Sequence, residues 1–315
     1  MVNLFEERTG ACMNDYSLSL QYGLVGLDGM DSLYLNTAKR AVLRAVEMAR
    51  VLEPFLAEEK EAGEISAASL ETALEQGIQR VKNLKKAELT AVEKETAGCL
   101  IADGTMEMGP DILGCDINYE TAGLELKIYR SDRDAYLRIT EEIRAEVLED
   151  GPLSLDALCM LWLLRESGCI HELFSVKEQG LAAGRVREQL EKEPVFSLIW
   201  KSEFHSGLEN FAISVLKGKA NLFKNPYLEG VNLLFPFLER RQAIFIDQVI
   251  FGTTVQNRRL AVAEHLSQRG HYVEEVKNGT ETLLRVDNHF YRLFPRTVQV
   301  ARVPVQGIQL VPVYW

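Results

Sequence analysis

The chain has 315 residues, 47% of them hydrophobic and 26% charged, with a formal net charge of -11. Those proportions exclude a core-less, solvated chain, and the acidity argues against nucleic acid as a general partner. The longest apolar runs, such as Leu153 to Leu164 and Val231 to Leu238, fall short of the roughly 20 residues a membrane span needs, so any membrane contact is expected to be peripheral.

Charge is unevenly spread: Lys217 to Trp315 balances at +5, whereas Met1 to Leu216 stands at -16. This predicts two units, a helical one over residues 1–218 and a mildly basic one over 219–315. The five cysteines (Cys12, Cys99, Cys115, Cys159, Cys169) have no C-x-x-C spacing and read as free thiols. The polar opening, Val2 to Asn14, has no apolar h-region, which predicts a cytoplasmic protein.

From Leu35 the apolar residues Ala38, Val42, Ala45, Ala49, Leu52 and Leu56 recur at helical spacing, with Lys39, Arg40, Arg44 and Glu47 on the opposite, solvent-facing side. A second helical stripe runs through Leu70, Leu74, Ile78, Val81 and Leu84. Asp103-Gly104, between Cys99–Ala102 and Thr105–Met108, has the form of a two-residue hairpin turn. Ile112 to Tyr119 and Leu124 to Tyr129 read as a further strand pair.

Helix returns at Ser131, with Tyr136, Ile139, Ile143 and Val147 as its buried stripe, and Gly151-Pro152 ends it. Ser154 to Glu166 is apolar nearly all round, as a central helix is. Ser175 and Glu178 have capping-box spacing and open a helix that buries Leu181, Val186 and Leu190; Pro194 closes it. A helix through Phe204, Leu208, Phe211 and Val215 follows, then a loop-like Leu222 to Pro236.

The last hundred residues read as an α+β module. It has a helix around Arg258 to Gln268 and strands His271–Lys277, Thr282–Val286, Thr297–Val305 and Ile308–Val313, with Asn278-Gly279 and Gln306-Gly307 as turns. The aromatic and basic run His289 to Arg296 has the chemistry of a membrane-interface or single-strand nucleic-acid platform. An edge strand packing its aromatics inward is the reading adopted, because Pro295 suits an edge.

No catalytic constellation emerges. Cys169 beside His171-Glu172 lacks an orienting third residue. His265 and His271 flank a helix end and suit a structural role better than a metal site. Gly23, Gly26 and Gly29 are not framed by a strand and a Walker-type lysine.

Within Asp134 to Leu190 the sequence reads "ITEEIRAEVLEDGPLSLDALCMLWLLRESGCIHELFSVKEQGLAAGRVREQL", which resembles the core of the Golgi phosphoprotein 3 family. In that family too, a charged helix and acidic linker lead into an apolar helix, then into a break with a conspicuous Phe, here Phe174. "YSLSLQYGLVGLDG", from Tyr16, is similar to the family's leucine-rich opening, and Asp103-Gly104 falls where the family places a hairpin. The likeness covers roughly residues 16–218 and leaves the C-terminal module outside.

The resemblance implies a mainly α fold: a helical bundle of Golgi phosphoprotein 3 type with a β-hairpin, followed here by the α+β module. It also implies a phosphoinositide-type headgroup as ligand. Where the family has Trp-Asn and a following arginine, this chain has Leu35-Asn36 and Arg44. Lys39 and Arg40 lie on a neighbouring turn, and the family's further arginines fall near Lys85 and Lys86. Phosphate recognition calls for such cations to converge; the plainer reading of each is a solvated charge on a helix face.

The expected function is therefore a non-enzymatic peripheral membrane adaptor for anionic lipid headgroups, with no cofactor or metal. Asp103, Gly104 and Glu107 make the hairpin tip polar, which counts against deep insertion. The alternative is a cytoplasmic interaction or regulatory protein whose C-terminal module contacts a protein partner; a homo-oligomer fits either.

Overall fold

Short polar side chains open most of the helices, by accepting a hydrogen bond from a backbone N–H three residues on. Asn36, Ser66, Asp132, Ser154, Ser175 and Thr254 all act this way. The computed structural model describes residues 16–117, 125–204, 241, 243–247, 253–277, 282–300 and 303–313. The expected helix after Phe204, the loop at 222–236, the Asn278-Gly279 turn and the 218/219 boundary lie outside these residues.

The helical unit comprises α1 (Leu18–Leu27), α2 (Thr37–Ala62), α3 (Ala67–Lys82), α4 (Lys86–Ala102), α5 (Arg133–Leu148), α6 (Leu155–Glu166), the single turn α7 (Ile170–Leu173), α8 (Val176–Lys192) and α9 (Pro194–Lys201). The antiparallel pair β1 (Met106–Pro110) and β2 (Lys127–Ser131) is inserted between α4 and α5. A five-stranded antiparallel sheet follows, in the order β3 (Ile244–Asp247), β7 (Val303–Val313), β6 (His289–Val300), β5 (Leu283–Val286), β4 (Val273–Lys277), with α10 (Val255–Gln268) preceding β4. The mainly α architecture with a C-terminal β module is thus as expected.

The large core is built as the apolar periodicities require. The α2 stripe is buried from Val42 to Leu56, and Tyr136, Ile139, Ile143 and Val147 are buried on α5. Nearly every side chain of α6 is enclosed, and Trp162 is fully buried, with Nε1 donating to the Ser202 carbonyl at 2.9 Å and Phe204 edge-on to its ring at 5.2 Å.

Several local expectations are corrected. Asp103 and Gly104 form no hairpin turn: α4 continues to Ala102, and Gly104 (φ +79°) ends it with an N–H donated to the Ile101 carbonyl. The helix period of Leu89, Val92, Thr96 and Leu100, all buried, outweighs the turn dipeptide. Ile112–Cys115 is a 3-10 turn capped by Asp111 rather than a strand. On α8 Leu181 is 55% exposed and Ala182 takes the inward place beside Val186. Pro194 opens α9 at its first position, where no N–H is needed.

Gln306-Gly307 is not a turn but lies inside β7. A Cβ at Gly307 would collide with the Ile246 carbonyl and the Phe245 ring, so the glycine serves close strand packing. The run His289–Arg296 is interior to the sheet at its start, where β5 and β7 flank it, and only from Leu293 outward does β6 lack β5 as a neighbour.

The second core, of Ile244, Ile246, Val262, Leu266, Leu284, Val286, Tyr291, Ile308 and Leu310, also takes in Ile112 and Cys115 from before β2. Phe245 N, on the outer edge of β3, donates to Asp116 Oδ2 at 2.7 Å. The two units therefore interlock through residues 111–116.

Candidate functional site

The head of α2 is where the sequence places its candidate cations. Asp31 Oδ1 accepts from Leu33 N (2.6 Å) and Tyr34 N (3.0 Å), a local turn that holds both side chains outward, each 65% exposed. Asn36 then caps α2 through Lys39 N at 2.8 Å.

Lys39 does not face solvent. Its side chain turns inward, 1% exposed, and Nζ donates to Glu93 Oε1 on α4 at 2.7 Å and to the Asp31 carbonyl at 2.6 Å. Tyr129 OH donates to the same Glu93 oxygen at 3.1 Å, and burial followed by the Glu93 charge pushes the Tyr129 phenol up. Lys39 is thus a buried ionic peg beneath the Leu33–Tyr34 turn rather than a headgroup ligand.

Arg44 is likewise buried, against the expectation of a solvated charge. Its Nε donates to the Val81 carbonyl at 3.0 Å, at the end of α3, where cations suit the exposed carbonyl groups. Burial and the nearby Arg40 charge both lower the Arg44 pKa. Glu47, expected on the same solvated face, is buried and paired with Arg50 and Arg80 at 2.8 and 3.0 Å. The α2 face fails to be solvated because α3 and α4 both pack on this helix, so its polar residues satisfy one another and the ends of the neighbouring helices.

Arg40 is half-buried, with Nε 3.5 Å from the Leu35 carbonyl. Lys85 and Lys86 are exposed at the start of α4, where Glu88 accepts from Lys85 N at 2.8 Å. Of the five candidates, Arg40 and Arg44 come together, Lys85 and Lys86 follow the helix end that Arg44 holds, and Lys39 departs. Leu35 is partly buried against the core, and the exposed aromatic beside it is Tyr34.

A second polar cluster, which sequence reasoning did not find, joins the two units. Asp28 accepts from Ser131 N (2.7 Å) and from Asn288 Nδ2, and lies 3.1 Å from His289 Nε2. Glu172 pairs with Arg241 and has His289 Nδ1 at 3.8 Å. Glu172 therefore has an ion-pair partner, and the Cys169 thiol is fully buried.

His271 is buried with Nδ1 2.8 Å from Asp287, in contact with the sheet turn rather than with a helix end, although its backbone N–H does donate to the Leu266 carbonyl. Arg130 donates to Glu107, Asp287 and the Gly270 carbonyl. These residues border a cleft of about 990 Å³, with Arg133 stacked over Tyr272 at 4.7 Å. Arg130 meets Gly270 and Asp287, and Asp28 meets Asn288, across more than 100 positions, so no local spacing could reveal these contacts.

In comparison with known proteins, the chain matches no family model, no curated sequence and no solved structure. No helix among the described residues is long and apolar enough to cross a membrane.

Proposed function

We propose that the chain is a non-enzymatic peripheral membrane adaptor that engages anionic lipid headgroups at the head of α2. The observation that carries this reading is the exposed Leu33–Tyr34 pair, held outward by Asp31 in the turn just ahead of α2, with Tyr34 six residues before Arg40. An aliphatic and an aromatic side chain beside a cation can enter the interfacial layer while the cation meets phosphate.

Arg40, Lys85 and Lys86 are the contacting cations, and Arg44 adds field from beneath. An anion docked at Arg40 offsets the repulsion between the two guanidinium groups. The resemblance to the Golgi phosphoprotein 3 family supports the same ligand class, with Tyr34 in place of the family's tryptophan one position on. An overall charge of -11 restricts binding to a local, oriented contact.

Flotation with vesicles of neutral phosphatidylcholine, alone or with phosphatidylinositol 4-phosphate, tests the reading. The intact protein is expected to float only with the anionic vesicles, and Tyr34→Ser or Arg40→Ala to reduce flotation severalfold. If the intact protein floats with neither, or all three proteins float equally, lipid binding at this site is wrong and a protein-interaction role replaces it.

A further inference from the structure

Strands β6 and β7 pair over eleven positions, from Phe290 with Val313 to Val300 with Val303. The rest of the sheet is shorter: β5 flanks β6 only along His289–Arg292, and β3 flanks β7 only along Gly307–Leu310. Among the described residues, the outer part of this hairpin is a two-stranded arm. Phe294 is 42% and Val303 61% exposed, and Pro295, Arg296, Thr297 and Gln306 are also exposed.

The arm's edges are closed to a further strand. Leu293 N donates away from β7, to the Thr282 carbonyl at 3.3 Å. By strand alternation Pro295 occupies an outward-pointing position of the same edge, and its cross-strand partner register places Pro304, opposite Gln299, outward on the β7 edge. Neither proline has an N–H to offer, which blunts both edges against strand addition. A partner must therefore meet the arm's side chains.

Those side chains specify charge. From Leu293 to Trp315 the sequence has two arginines (Arg296 and Arg302) and no Asp or Glu, which leaves the rest of the chain at -13. The acidic side is helical: Glu58, Glu61, Glu64, Glu71 and Glu75 are exposed around the end of α2 and along α3.

We propose that the β6–β7 arm is a self-association element, lying against the acidic helical unit of a second copy of this chain. Exchange of arms in both directions makes the contact reciprocal and closes it as a two-fold dimer. Phe294 and Val303 supply the apolar contact, and the arginines supply complementarity and orientation. The proposal is independent of lipid binding at α2.

Sedimentation equilibrium of the full chain is the test. A dimer is expected at about 50 mM salt, with association at least about tenfold weaker at about 500 mM, where charge is screened within a few ångströms. Phe294→Ser with Arg296→Glu, and separately Val303→Glu, should sediment as monomers with unchanged circular dichroism. A monomeric parent protein at all concentrations overturns the proposal, as does a dimer retained in either folded variant. Flotation of a monomeric parent protein on phosphatidylserine vesicles, lost in the arm variants, would assign the arm to a membrane instead.

Discussion

Asn288 Nδ2 lies 3.2 and 3.3 Å from the two carboxylate oxygens of Asp28, 260 positions earlier, and 3.0 Å from the Ser131 carbonyl. One amide thereby ties the end of α1, the end of β2 and the β5–β6 turn together, and Asp28 and Asn288 are both buried. A buried carboxylate that loses a donor keeps its desolvation penalty. Asn288→Ala is expected to destabilise by about 1–3 kcal/mol, measured by urea unfolding. No change in midpoint would mean that the two units do not hold each other.

Lys39 and Glu93 make a sharper case, because both are buried and their ion pair is 2.7 Å long. Removing one partner strands the other charge, so Lys39→Met alone should destabilise by about 3–5 kcal/mol. Replacing both, Lys39→Met with Glu93→Leu, should recover much of that loss, since apolar pairs often match buried ion pairs. Tyr129 would then lose its acceptor, which limits the recovery. Equal stability of the single and double variants in thermal unfolding would contradict the pair's coupling.

The helices were legible where periodicity and caps agreed. Ser154, Ser175 and Asp132 open helices whose buried stripes recur at three and four residues, and these needed no tertiary information. The failures share a cause. Asp103-Gly104 and Gln306-Gly307 carry turn composition, but one ends a helix and the other packs under Phe245, so longer-range packing decided both. Lys39, Arg44 and Glu47 occupy the polar face of α2 by sequence, yet α3 and α4 cover that face. Whether a polar stripe meets water or other helices is not encoded in its own spacing. The Asp28–Asn288–His289 cluster was invisible for the same reason: each member finds its partner only when the two units close.

Acidity provides a separate probe of the closed units through Asp111, which caps the Ile112–Cys115 turn. Burial raises its carboxyl to about 6, opposed by the Leu113 N–H, with the Asp31 charge adding to the rise and His271 opposing it. The folded state thus binds this proton more tightly than the unfolded chain. Its contribution is fully present below the unfolded value and is lost as pH rises through about 6. Asp287, held low by His271 and by the Tyr272 N–H and Arg130, acts in the opposite direction, but only in more acidic solution. Asp111→Asn keeps an acceptor for Leu113 N. Its stability relative to the parent protein should increase between about pH 5 and pH 7.5; a pH-independent difference in melting temperature would exclude Asp111 as the titrating group.

The interlock at residues 111–116 sets what happens when the C-terminal module is removed. The charge change near Lys217 suggests that residues 1–218 fold alone, and the large core lies within them, from Leu18 to Phe204, with Met106 of β1 and Tyr129 of β2 at its margin. Yet Ile112 and Cys115 belong to the other core, Asp116 accepts from Phe245 N, and Arg130 and Arg133 both reach residues beyond 269. A chain ending at Gly218 should therefore keep its helical circular dichroism while β1, β2 and the segment between them lose protection from amide exchange. Helices α2 and α6 should remain protected, because their contacts lie within the large core. Uniform loss of protection across α2 and α6 would show instead that the two cores fold as one cooperative unit.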